Sequence, residues 1–174
     1  MPLVRPLAAV LALFTLAACA VGDNYAPKGE PSFYRNLAQP GAQLDDAAAA
    51  SMISGYRANN GLPAVTLDPE LTRLALAQAE VMAKRDKLDH SAGKPFNARL
   101  KASGYDAKTA AENISAGYHT LAEAFSGWRD SPPHRANMLL KGATRMGIAA
   151  VYTPASKYKV YWALILAEPD DRKS

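Results

Sequence analysis

The sequence predicts an α+β domain, with helices packed on a small antiparallel sheet. Three observations lead there. Between residues 44 and 140 apolar residues recur with a helical period, punctuated by helix caps. From Arg145 to Ala167 the chain turns rich in β-branched and aromatic residues around a turn that holds Pro154. The order is helices first and strands last, with no internal repeat, which is the pattern of helices packed on a sheet rather than of alternating βα units.

Residues 1–18 read as a secretory signal: Arg5, an apolar run from Leu7 to Leu16, then Leu16-Ala17-Ala18-Cys19. The run falls short of the roughly 20 apolar residues a spanning helix needs. Leu-Ala-Ala-Cys matches a bacterial lipobox, whose cysteine is lipidated and becomes the new N-terminus. An ordinary signal peptide cut near Ala18 or Ala20 is the alternative. The lipobox is preferred because the only cysteine of the chain stands at the position after the cut. With Cys19 lipidated, the domain has no thiol left for a disulfide, so core burial must hold it.

Residues 19–43 read as a flexible tether. Gly22, Pro27, Gly29, Pro31, Pro40 and Gly41 interrupt any period. Phe33, Tyr34 and Leu37 stand out from it as candidates for a short clip on the domain. The domain itself is placed at 44–169, with a charged, frayed end at 170–174.

Within the domain, Leu44–Asn60 is predicted helical. Asp45 and Asp46 complement the positive helix start, an alanine run follows, and Asn59-Asn60-Gly61 stops it. Pro63 forces 62–67 into an extended link. Asp68 as N-cap and Pro69 at the first helical position open a second helix to about Lys87. Leu71, Leu74, Ala75, Gln78, Val81, Met82 and Arg85 follow its 3.6 period. Phe96–Ser103 forms a short third helix, with Phe96, Leu100 and Arg99 inward and Gly104 at its end. Tyr105–Thr109 is predicted to be a turn, and Ala111-Glu112-Asn113-Ile114 leads on to Gly117 without an assigned element. Thr120-Leu-Ala-Glu123 is a capping box. It opens a helix with Leu121, Phe125 and Trp128 on one stripe, ended by Pro132 and Pro133. A further turn or two is predicted over 134–140. Two long strands, 145–152 and 158–167, close the chain as a hairpin, the second apolar on both faces.

Composition narrows the function classes. There are 20 Lys and Arg against 16 Asp and Glu, a net charge of +4. The cations are scattered, form no run of five, and are not interleaved with aromatics, which argues against a nucleic-acid surface. The mild positive charge suits weak attraction to anionic lipid heads or cell-wall polymers.

Taken together, the pieces resemble the CAP superfamily (cysteine-rich secretory, antigen 5, pathogenesis-related 1), also called the SCP domain, over about residues 46–167. The resemblance rests on Tyr56-Arg57-Ala58-Asn59-Asn60-Gly61-Leu62-Pro63, Leu67-Asp68-Pro69-Glu70-Leu71, His90-Ser91, Ala111-Glu112-Asn113-Ile114, Trp128 with Ser131-Pro132 and His134-Arg135 to Asn137, and Met146-Gly147-Ile148-Ala149 with Tyr161-Trp162. It implies an α-β-α sandwich with a central cleft holding two histidines and two acids. His90, Glu112 and His134 match three of the four. Ser131 stands at the fourth, as in the bacterial branch, and Asn113 borders the same cleft. The family's cysteines are absent.

The resemblance makes His90, Glu112 and His134 candidate ligands for a divalent metal such as zinc. The alternative is a solvated polar cleft in which these groups hydrogen-bond one another and loop backbone. Glu112 and His134 are also the candidate catalytic pair of an envelope hydrolase. Asp89-His90-Ser91 reads instead as a turn, since no Gly-x-Ser-x-Gly elbow is present. Ser131 is expected either to hydrogen-bond near His134 or to cap the broken helix, and Asn113 and Asn137 to stitch loop backbone. The preferred expectation is a lipid-anchored binding module for a small lipid or sterol-like molecule, a peptidoglycan fragment or a protein partner. The hydrolase is the alternative. Because Ala20, after the lipobox cysteine, is not Asp, analogy with diderm bacteria places the protein at the outer membrane, facing the periplasm.

Overall fold

The computed structural model of the chain describes residues 29–170. The predicted signal peptide, Cys19, the start of the tether and the last residues of the frayed end therefore lie outside the described residues.

The expected elements form, with shifted ends. Helix α1 spans Asp46–Asn59, and Asp45 caps it by accepting from the Ala48 N–H at 2.9 Å. Strand β1 is only Thr66–Leu67, within the predicted extended link. Helix α2 spans Pro69–Arg85, with the Asp68 carboxylate accepting from the Glu70 and Leu71 N–H groups. It stops two residues earlier than predicted, because Asp86 turns left-handed at φ 49°. Aspartate tolerates that conformation, and here its carboxylate accepts from the Tyr161 hydroxyl and the Lys157 N–H. Helix α3 is Phe96–Ser103, as expected.

Strand β2, Ala107–Ala116, corrects the prediction of a turn over 105–109. Helix α4, Leu121–Asp130, opens on the predicted capping box. Helix α5 runs Pro132–Met138 and corrects the role of the prolines. They do not only stop α4. Pro132 begins α5, where a missing N–H costs nothing. Strands β3, Arg145–Tyr152, and β4, Val160–Pro169, close the chain.

The sheet has four strands in the order β1-β3-β4-β2. The predicted hairpin β3–β4 is its centre, and β2 adds antiparallel to β4. The β1–β3 pair is parallel, so the sheet is not wholly antiparallel.

β4 is buried on both faces, as its unbroken apolar run predicts. Trp162, Leu164 and Leu166 join Ile53 of α1, Leu121 and Trp128 of α4 and Met138 of α5 in one core. Tyr161, Ala163, Ile165 and Ala167 join Leu71, Leu74, Ala75 and Met82 of α2 in the other, with Phe96 and Leu100 of α3 packed against it. The result is the expected three layers.

Two features lock the layers. Gly147 of β3 lies so close to α2 that a Cβ there would overlap the Leu71–Thr72 backbone. Arg57, fully buried on α1, donates to the carbonyls of Pro63, Met138, Leu140 and Ala143 at 2.9–3.0 Å. It ties α1 to the loop between α5 and β3, and burial draws its pKa below the usual value.

Of the stretch read as a tether, the described part folds back on the domain. Ser32–Tyr34 forms a 3₁₀ turn, and the Ser32 hydroxyl donates to Asp45 at 2.7 Å. Leu37 is buried, Phe33 packs on the same core, and Tyr34 stays half-exposed. The Leu37 N–H donates to the His119 carbonyl at 2.7 Å. No helix among the described residues is long and apolar enough to cross a membrane.

Candidate functional site

The three predicted cleft residues come from three different places. His90 lies in the loop after α2, Glu112 midway along β2, and His134 in the first turn of α5. The pairing of Glu112 with Ile165 fixes the carboxylate's place on the α2 side of the sheet. There its side chain is 2% exposed and both oxygens are occupied. Oε1 meets His90 Nδ1 at 2.9 Å, and Oε2 accepts from Arg99 Nη2 at 2.6 Å. Arg99, itself 12% exposed, reaches in from α3. A buried carboxylate needs such partners, because an unpaired charge in the interior costs several kcal/mol, on the order of 3–5.

The other side of β2 carries the α5 contacts. Asn113 donates to the His134 carbonyl at 2.9 Å. Asn137 donates to the Glu112 carbonyl at 3.1 Å and to Asn113 Oδ1 at 2.9 Å. Both asparagines therefore stitch backbone, but that of α5 and β2 rather than of the loops expected. Ser131 Oγ lies 2.9 Å from His134 Nδ1 and makes no cap to α5, which decides between the two roles expected of it. The His134 pKa is lowered, first by burial and then by the neighbouring charge of His90. His134 is thus mainly neutral at neutral pH. Asp89 accepts from the Ser91 N–H at 2.8 Å, the turn expected of that triplet.

The three-ligand metal set does not fit this arrangement. Among the described residues no group of three or more His, Cys, Asp or Glu is placed to hold a metal ion. Glu112 has no free oxygen, and the guanidinium beside it repels a cation. Two imidazoles remain, one of them already engaged by Ser131.

A cleft of about 240 Å³ opens beside His134. Leu88, Ile114, Ser115, Ala116, Tyr118, Trp128 and Ser131 line it with His134. Only Ser131 and His134 of the predicted site reach it. Arg99 as the partner of Glu112, and Leu88 and Tyr118 as cleft walls, were not singled out as site residues. Arg99 had one usable signal, its place on the inner face of a helix where an unpaired cation would not sit. Leu88 and Tyr118 had none, since their role depends on how two loops meet across β2.

Three layers with a cleft beside His134 are the arrangement of a CAP-type domain, and comparison with known proteins agrees. Residues 50–166 match the Cysteine-rich secretory protein family (CAP), and the chain belongs to that family. It is 34% identical over 103 residues to the uncharacterized protein YkwD of Bacillus subtilis, spanning 58% of this chain but only 40% of that relative. Among solved structures it is similar to an outer surface protein of Borrelia burgdorferi, with a TM-score of 0.65 at 16% identity, covering 75% of this chain and 99% of that one. It is similar also to an extracellular protein with an SCP domain from Bacillus anthracis, with a TM-score of 0.61 at 20% identity over 70% of this chain and 39% of that one. At these identities the structures speak to the fold alone.

Proposed function

We propose that this chain is an envelope protein, held to a membrane by lipid on Cys19, whose cleft binds a ligand rather than hydrolysing one. The bound class is a small hydrophobic molecule, a cell-wall fragment or a segment of a partner protein. The outer membrane, facing the periplasm, is its proposed place. The observation that carries the binding reading is the state of Glu112. Its two oxygens are held by His90 and Arg99, and its side chain is buried away from the cleft, so it is not placed to take a proton from water or substrate there.

One contact favours the hydrolase reading. The Ser131 hydroxyl lies within hydrogen-bond reach of a mainly neutral imidazole. A nucleophile and base need a third group to orient the base. Among the described residues no carboxylate hydrogen-bonds His134, and the two residues stand three apart at the start of one short helix. That spacing suits a local brace.

The test is native mass spectrometry of the purified protein together with an ester and amide turnover panel. A co-purifying ligand that raises the melting temperature when added back to stripped protein is the expected result. At a hundred times its Kd such a ligand stabilises by about 2.7 kcal/mol. Turnover that His134→Ala or Ser131→Ala abolishes overturns the binding reading.

A further inference from the structure

β2 is an edge strand, and its outer side faces the cleft. The Gly117 N–H donates to the Val160 carbonyl across the directly opposed pair that continues the β2–β4 register. In an antiparallel ladder, hydrogen-bonded and non-bonded pairs alternate. Residues 113 and 115 therefore bond β4, while Glu112, Ile114 and Ala116 turn their N–H and C=O groups outward. Asn137 supports this parity independently, because it reaches the Glu112 carbonyl from α5, outside the sheet.

The asparagine covers the edge only at Glu112. At Ile114 and Ala116 the outward groups have no partner among the described residues. These two residues, with Ser115, form one wall of the 240 Å³ cleft. Leu88, 44% exposed, lines the same cleft, as do Tyr118 and Trp128. Ser115 Oγ and Trp128 Nε1 are also buried without a partner among the described residues. Ile114 and Ser115 are buried, so the edge meets solvent only through the cleft; a strand edge left without a partner is normally covered, charged or twisted away.

We infer that the cleft takes an extended segment of a partner protein, which pairs with β2 along Ile114–Ala116 and seats one apolar side chain between Leu88 and Trp128. This rests on the binding reading above and names its ligand class. Two facts select a peptide over a lipid. The volume lies below the range of about 300–1,000 Å³ usual for small-molecule pockets and suits one or two side chains. The open backbone donors and acceptors recur every second residue, which is the repeat of an extended chain and of no acyl tail.

The probe is an eight-residue L-peptide of alternating valine and threonine with one central phenylalanine, titrated into the ¹⁵N-labelled protein. Two further peptides carry N-methyl groups on alternate amides, one set on each edge. The expected result is amide shifts and slowed hydrogen exchange at Ile114 and Ala116, and loss of binding with one methylated set but not the other. Ala116→Pro is expected to keep the fold, since that N–H takes no part in the β2–β4 ladder and proline is tolerated at such edge positions. It should weaken the probe about tenfold or more.

Equal binding of both methylated peptides, shifts elsewhere on the domain, or no binding at millimolar probe overturns the inference. If Ala116→Pro fails to fold, the methylated peptides on the unaltered protein decide alone. A lipid or cell-wall fragment that shifts the cleft amides while the peptide does not would overturn the peptide and leave the binding reading standing. A hydrolytic activity would end both.

Discussion

At the residue scale the site turns on Arg99. Glu112 and the two histidines stand out in the sequence because each sits in a short motif, although of the three only His134 lines the cleft. The counter-ion of Glu112 does not stand out. Arg99 lies thirteen positions before Glu112, on another element, and nothing in local spacing joins them. That omission is also why a metal looked plausible: two imidazoles and a free carboxylate are a ligand set, whereas two imidazoles and an arginine-bound carboxylate are not. Arg99→Met leaves the Glu112 charge buried with only His90, which is half-exposed. We expect a loss of about 3–5 kcal/mol in denaturant unfolding, with most of it restored by adding Glu112→Gln. A single variant as stable as the parent would show that the guanidinium does not hold the carboxylate. The sequence marks the asparagines as backbone partners, but of loops; they instead join α5 to the β2 edge, a pairing that local sequence does not show.

At the element scale, helices were read well and strands unevenly. α2 and α4 carry their own boundaries in Asp68-Pro69 and in the Thr120–Glu123 capping box. β3 and β4 carry theirs in composition. β2 carries nothing of the kind. Ala107-Lys-Thr-Ala-Ala-Glu-Asn-Ile is poor in β-branched and aromatic residues, and it is a strand because β4 offers it a ladder some fifty positions away in sequence. β1 is likewise a strand only by pairing with β3. The contact of α2 with β3 gives a test at this level. Gly147→Ala places a methyl group in the Leu71–Thr72 backbone, and backbone cannot rotate aside as a side chain can. We expect a loss at the upper end of the overpacking range, about 3 kcal/mol, read from the denaturant midpoint. An unchanged midpoint would mean that helix and strand stand further apart.

At the scale of the whole molecule, the described N-terminal stretch is part of the domain. Leu37 and Phe33 pack on the core that α1 and α4 share, so any tether to a lipid on Cys19 is shorter than the sequence implied. The proposed anchor has a direct check. Cys19→Ser should move the protein from the membrane fraction to the soluble envelope fraction while leaving its melting temperature unchanged. Continued sedimentation with membranes would sink the lipobox reading. The three-layer order itself was legible, since a run that is apolar at every position needs cover on both faces. Sheet order was not, because edge strands are chosen by long-range pairing.

The burial of β4 on both faces also bears on how the chain assembles. Both cores close on Val160–Ala167, and β4 is the last element of the described fold. Helices α1 to α5 can form turns as they emerge, but neither layer has its floor until β4 arrives. Contacts so distant in sequence are slow to form. Until then Trp162, Leu164 and Ile165 belong to an unpaired, apolar, β-prone segment of the kind that sticks to other chains. A protein that crosses a membrane unfolded would need that segment shielded until the whole domain is through, and would then gain its stability late and nearly all at once.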